Sequence, residues 1–165
     1  VTEARYMQVI DFKTAKLFEA SCRLAGIVTG QSKEVIANLG QFGAEVGSAF
    51  QLIDDVLDYA GESAALGKNV GDDLREGKPT LPLIHAMQHA APQVQTQIRD
   101  AIANGGTQDV NAIMASIEQT GSLDYTRNKA QALAESAKTR LGSLASNPYT
   151  ESLAMLCDVA VNRNA

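Results

Sequence analysis

Phe50 to Asp58, FQLIDDVLD, sets a glutamine and three aspartates within nine residues. On a helix turning 100° per residue, with Gln51 at zero, Asp54 falls at about −60°, Asp55 at about +40° and Asp58 at about −20°. The four polar side chains therefore share an arc of about 100°. The opposite side carries Val46, Ala49, Ile53, Val56 and Leu57, an apolar face fit for a core. Crowding carboxylates in this way is poor helix design. Aspartate is a weak helix former, like-charge pairs at this spacing cost roughly 0.2–0.5 kcal/mol each, and negative charge near a helix C-terminus opposes the dipole. A hard divalent cation reverses the sign of that cost. Mg²⁺ selects oxygen ligands, keeps several waters and shares substrate phosphates, so Asp54, Asp55 and Asp58 would suffice. Taken alone, the motif stays open between a metal site and a solvated acidic face, because ten aspartates can produce a DDxxD by chance. Small residues continue the polar face upstream at Gly40, Ala44 and Gly47, which would leave room for a ligand along the helix.

Three lysines could answer those acids. Lys13, followed by Thr14, lies in FKTAKLFEASC; Lys68 and Lys78 lie in the glycine-bearing stretch GKNVGDDLREGKPTLP. Lysine binds phosphate as a point charge, and glycine lets backbone amides approach the same anion. A loop directly after the acidic helix could fold these ammonium groups back over a metal. Phosphate, magnesium and lysine together make a diphosphate site, with electrostatic stabilisation of a charged leaving group. Taken singly, each lysine reads as an ordinary solvated residue.

Helical periodicity runs through nearly the whole chain and supplies the elements that must hold these groups. The pattern predicts a helix from Thr2, its N-cap, to about Val28, and a second from after Ser32 to about Tyr59. Residues 61–78 carry four glycines among charged residues and read as a loop with one turn at Asp72–Arg75. Further helices are expected from Thr80 and Pro82 to Ala90, from Pro92 to Ala103, over Asp109–Thr120, from Leu123 to about Leu144, and from Asn147–Pro148 to Val161. Hydrophobic residues make up 45% and aromatics 5%, without tryptophan, which suits a helical bundle rather than a sandwich or barrel. The expectation is one all-α domain over residues 1–165, a length able to enclose a single core.

The remaining features narrow the function class. A net charge of −5 and the lack of a basic block argue against nucleic acid as a partner. No apolar run approaches the roughly twenty residues of a membrane span, and a cytoplasmic protein is expected. Cys22 and Cys157 lack a CxxC spacing and read as reduced, buried thiols. His85 and His89 stand i, i+4 but without the glutamate of an HExxH site, so they read as structural. Val1 is not a natural start, and the expectation is a chain cut at its N-terminus with a native C-terminus.

The segments Lys13–Cys22 (KTAKLFEASC), Gly47–Tyr59 (GSAFQLIDDVLDY) and Leu66–Met87 (LGKNVGDDLREGKPTLPLIHAM) resemble, in that order, the trans-isoprenyl diphosphate synthase family. The ending Ala160–Arg163 (AVNR) is similar too; Leu66–Met87 with Gly121–Arg127 looks most like the bacterial octaprenyl diphosphate synthases. That resemblance implies an all-α bundle of the isoprenoid synthase type, of which this chain is the C-terminal part, and a homodimer. It implies Mg²⁺ on Asp54, Asp55 and Asp58, and diphosphate contacts from Lys13, Thr14, Gln51, Lys68 and Lys78, with Lys13, Asp54 and Lys68 in the catalytic step. The implied reaction condenses an allylic diphosphate such as farnesyl diphosphate with isopentenyl diphosphate, giving a long all-trans polyprenyl diphosphate for quinone side chains. The family's first aspartate-rich motif and its isopentenyl diphosphate ligands are absent from these 165 residues, so the isolated chain is expected to be inactive. A non-catalytic subunit of a heteromeric synthase, a class I terpene cyclase and a plain helical interaction module are the alternatives. The intact acids and lysines favour the enzyme.

Overall fold

Three polar residues set the helix starts. In the computed structural model, which describes residues 1–60, 71–104 and 110–163, Thr2 Oγ1 accepts the Arg5 backbone N–H (3.3 Å) and opens α1 (Glu3–Ile10). Ser32 Oγ does the same for the Val35 N–H (3.3 Å) at the head of α3 (Lys33–Ala60). Asn147 Oδ1 accepts from the N–H groups of Tyr149 and Thr150, and Thr150 Oγ1 accepts the Asn147 N–H, a reciprocal box that opens α9 (Pro148–Val161). A cap of this kind stabilises a helix by roughly 0.5–2 kcal/mol.

The expected single helix from Thr2 to Val28 needs a correction of register. α1 and α2 (Lys16–Val28) are joined by a π-helical turn, Asp11–Ala15, wider than the α-turns on either side. After α3 come α4 (Asp72–Arg75), α5 (Leu81–His89), α6 (Pro92–Asn104), α7 (Val110–Gln119) and α8 (Ser122–Arg140). Pro82 and Pro92 sit in the first turns of their helices, where a missing N–H costs nothing. α8 ends at Arg140 and tightens into a 3-10 turn, Leu141–Ser143, four residues short of the expected Leu144. No strand occurs among the described residues, and the fold class is all-α. Among the described residues no helix is long and apolar enough to cross a membrane.

The chain divides into two compact units, and α3 contributes to both. The first comprises residues 1–6 and 54–128. Its core is Tyr59, Leu74, Leu83, Ala86, Ile98, Ile113 and Ile117, with Val94, Ile102 and Leu123 packed around them. The second comprises residues 7–53 and 129–163, with Phe42, Ala134, Ala137, Leu141 and Cys157 buried and Cys22, Val46 and Leu153 against them. Both cysteines are free thiols, and burial pushes the ionisation of each upward.

Within the second unit, the small residues of α3 do not leave a trough for a ligand. A Cβ built on Gly43 would stand 2.4 Å from the Phe18 carbonyl oxygen, and one on Gly47 would stand 2.8 Å from Ala15 Cα. The side chain of Arg23 fills the space above Gly40. Helix α2 and the end of the π turn occupy that face, and the glycines exist to let two backbones approach.

Candidate functional site

The acids of α3 stand in three different environments. Asp54 is exposed, Asp58 is half-buried, and Asp55 is only 3% exposed. The helical wheel places Asp55 at the edge of the polar arc, and the structure turns that edge inward. Its Oδ2 accepts a short hydrogen bond from Tyr6 Oη of α1. Burial first, and the Asp55 carboxylate second, push the Tyr6 phenol far above its ordinary ionisation range, so it stays a donor. Asp58 is engaged from the other side. Its Oδ2 accepts the Asp73 backbone N–H (3.1 Å), and its main-chain oxygen accepts the Gly71 N–H (2.8 Å). Gly71 adopts φ +79°, a left-handed conformation that costs glycine little, and so turns the chain into α4 at this point.

Lys78, the last of the predicted diphosphate lysines, is exposed at the far end of this segment. Its Nζ pairs with Glu76 Oε2 (2.6 Å) and Asp73 Oδ1 (2.9 Å). Glu76, then Asp73, hold its ammonium pKa well above the usual value. Lys68 lies outside the described residues. Nearby, Tyr59 Oη and Thr80 Oγ1 share a buried hydrogen bond (2.9 Å), and burial drives the Tyr59 phenol upward as well.

In the second unit the π turn carries Lys13 and Thr14. Lys13 is exposed and forms no ion pair with a described residue. Thr14 Oγ1 donates to Gln51 Oε1 (2.8 Å), which fixes the orientation of a largely buried amide. The Lys16 N–H closes the turn on the carbonyls of Asp11 and Thr14. One residue before Gln51, Arg163 Nη2 donates to the Phe50 carbonyl (3.1 Å), with the guanidinium 3.9 Å from the Phe50 ring centroid. The AVNR ending thus fastens onto α3.

The structure therefore joins Thr14 to Gln51 and surrounds Asp55 and Asp58 with donors. Among the described residues it does not gather three His, Cys, Asp or Glu side chains about one cation position. Tyr6 and Asp73 carry the support of the acids, and sequence reasoning missed both. The Tyr6–Ile10 spacing marks a buried helix face but says nothing of a carboxylate 49 residues on.

The polyprenyl synthetase family model matches residues 1–120. The chain is 46% identical to the octaprenyl diphosphate synthase of Escherichia coli (strain K12) over 99% of its own length and 51% of that protein. It superposes on a decaprenyl diphosphate synthase from Rhodobacter capsulatus with a TM-score of 0.90 and 37% identity, covering 98% of this chain and 50% of the other. A Caulobacter crescentus polyprenyl synthase, solved with calcium and isoprenyl diphosphate, gives a TM-score of 0.91 and 38% identity over 100% of this chain and 51% of that one. The chain spans about half the length of the curated relatives it matches. A helical fold with these motifs in this order, matched along its length, has one classification: the chain belongs to the polyprenyl synthetase family.

Proposed function

We propose that this chain is part of a trans-polyprenyl diphosphate synthase that extends an allylic diphosphate with isopentenyl diphosphate into a long, octaprenyl-type chain for quinone side chains. The observation that carries the reading is the acidic face of α3, intact at Asp54, Asp55 and Asp58 within a chain that resembles such synthases along its length. A homodimer in the cytoplasm, with a counterpart to the other half of the relatives' length, belongs to the same proposal.

The donor set fits a hard divalent cation. Asp54, Asp55 and Asp58 all carry carboxylate oxygen, the donor type that such an ion selects. Mg²⁺ retains water and shares substrate phosphate oxygens, so it needs few ligands from the protein. When bound, it would neutralise the charge that grows on the departing diphosphate. Asp54 and Asp58 would hold it, with Asp55 beside them. Lys13, Lys68 and Lys78 would supply ammonium groups to the same diphosphate, Lys78 by exchanging Asp73 and Glu76 for phosphate oxygens. Thr14, on the π turn, and Gln51 form a braced polar pair, and a π turn is a helix irregularity that recurs at functional sites. In the reaction the allylic C–O bond breaks, diphosphate leaves with the electron pair, the isopentenyl double bond forms the new C–C bond, and a proton is lost to restore the alkene.

The test uses the full product of the gene that encodes this chain, with farnesyl diphosphate, radiolabelled isopentenyl diphosphate and Mg²⁺, and chromatographic sizing of the prenyl products. Asp54→Ala is expected to lower turnover by at least about a hundredfold with unchanged helicity. Wild-type rates in that variant would remove the metal assignment. No elongation by the unmutated product would favour a non-catalytic subunit, and a cyclic hydrocarbon product a terpene cyclase.

A further inference from the structure

Resting on the assignment of Lys78 to the diphosphate, we propose that Tyr59 and Thr80 are positioning residues for that lysine. Their hydroxyl pair sets the segment that carries its ammonium group before a ligand arrives. Tyr59 follows Asp58 near the end of α3, and Thr80 stands two residues beyond Lys78. Their hydroxyls share a hydrogen bond of 2.9 Å, and with Tyr59 4% and Thr80 5% exposed, bulk water does not compete for either. One further bond carries the effect to the lysine. The Thr80 N–H donates to the Lys78 carbonyl (3.0 Å), and the Lys78 N–H donates to the Asp73 carbonyl (2.8 Å). Both main-chain groups of Lys78 are thus engaged within its own segment.

Thr80 gives up a local bond for this contact. It is the N-cap of α5, where a threonine hydroxyl ordinarily accepts an N–H of the first turn, yet its side chain makes no capping bond. Its Oγ1 meets Tyr59 instead. The other end of the segment is fastened to the same end of α3. The Asp58 carbonyl accepts the Gly71 N–H (2.8 Å), and Asp58 Oδ2 accepts the Asp73 N–H (3.1 Å). Two consecutive residues of one helix therefore hold residues 71–73 and residue 80. Between them Leu74 is fully buried, and Gly77 turns at φ +69°, where a Cβ would stand 2.9 Å from the Ile102 carbonyl oxygen. The Lys78 backbone is fixed from both sides while its side chain stays exposed. An ammonium group on so rigid a mount loses little further freedom when it takes an anion.

The experiment titrates inorganic pyrophosphate with Mg²⁺ into the full product of the gene by calorimetry, at a temperature where each variant is folded by circular dichroism. Lys78→Gln is expected to weaken binding about tenfold, through loss of a charge-assisted contact. Thr80→Val and Tyr59→Phe, which keep the bulk and lose a hydroxyl, should each weaken it about threefold to fivefold, while Thr80→Ser binds like wild type. Because both act through Lys78, neither should weaken binding further once Lys78→Gln is present. A pair that serves the core alone would lower the melting temperature and leave the affinity unchanged. Unchanged affinity in Thr80→Val and Tyr59→Phe, or equal losses with and without Lys78→Gln, overturns the positioning role and leaves the diphosphate assignment of Lys78 standing. Wild type that binds no pyrophosphate, or Lys78→Gln that binds like wild type, overturns both. Should neither hydroxyl variant fold, hydrogen exchange of the wild type decides. Amides of Gly71, Asp73, Lys78 and Thr80 protected already without pyrophosphate support the proposal; amides protected only after its addition overturn it.

Discussion

His85 shows how far single hydrogen positions can be reasoned out. Thr120 Oγ1 gives its one hydrogen to the Ser116 carbonyl (2.6 Å), so Ser122 Oγ must donate to Thr120 Oγ1 (2.7 Å). Ser122 then has only a lone pair left for His85 Nδ1 (2.9 Å), which fixes the neutral ring as the Nδ1–H tautomer and Nε2 as the atom that takes up a proton. The ring stacks between His89 and Tyr125, at centroid distances of 4.1 and 4.2 Å, and Tyr125 donates to Glu3 (2.7 Å). Burial, followed by His89, lowers the His85 pKa, against a smaller opposing pull from Glu3. The folded state therefore resists protonation that the unfolded chain accepts near its ordinary value of about 6.5. Stability from this group is complete above that value and declines as pH falls toward the folded pKa. Thermal melts from pH 7.5 to 5.5 should show wild type losing more melting temperature than His85→Gln. Parallel curves would mean that His85 does not titrate in this way.

At the scale of elements, the contact between α2 and α3 is set by glycine. Alanine at Gly43 would gain about 1 kcal/mol in helix propensity. Its Cβ would also meet the Phe18 carbonyl at 2.4 Å, a main-chain group that cannot swing aside. Overpacking typically costs about 1–3 kcal/mol, and a clash with a fixed main-chain oxygen belongs at the upper end, so it outweighs the propensity gain. Gly43→Ala should be destabilised by about 1–2 kcal/mol net in urea denaturation. A variant as stable as wild type would show that the helices can part without cost. The π turn before α2 is a second feature of this scale. The residues DFKTA carry no sign of it, because an i→i+5 register is chosen by what the helix packs against, here including the Thr14–Gln51 bond.

The whole molecule carries a net charge of −5, which repels a diphosphate unless positive charge is concentrated where the ligand sits. Lys78 is already paired with two acids and is weakly placed to overcome that field. Calorimetric titration with inorganic pyrophosphate should accordingly show at least about tenfold tighter binding with Mg²⁺ than in EDTA. Equal affinity in both buffers would mean that the ammonium groups suffice. The two units each have a core of their own, built in the first from residues of α4 to α7 with Tyr59 and in the second chiefly from α3, α8 and α9. Residues far apart in sequence complete both cores, which is why the pattern of apolar positions located the helices without revealing the division.

The sequence by itself determined the helices apart from the π turn and the end of α8, the caps at Thr2 and Asn147, the turn at Asp72–Arg75 and the acidic stretch from Asp54 to Asp58, because each depends on residues within one or two turns of one another. Tertiary structure decided what those residues meet: Tyr6 against Asp55, Asp73 against Asp58, Glu76 and Asp73 against Lys78, and Phe18 against Gly43. Helical periodicity fixes the direction in which a side chain leaves its own axis. It contains no information about which distant helix waits there, and burial, charge pairing and the orientation of a carboxylate all depend on that neighbour.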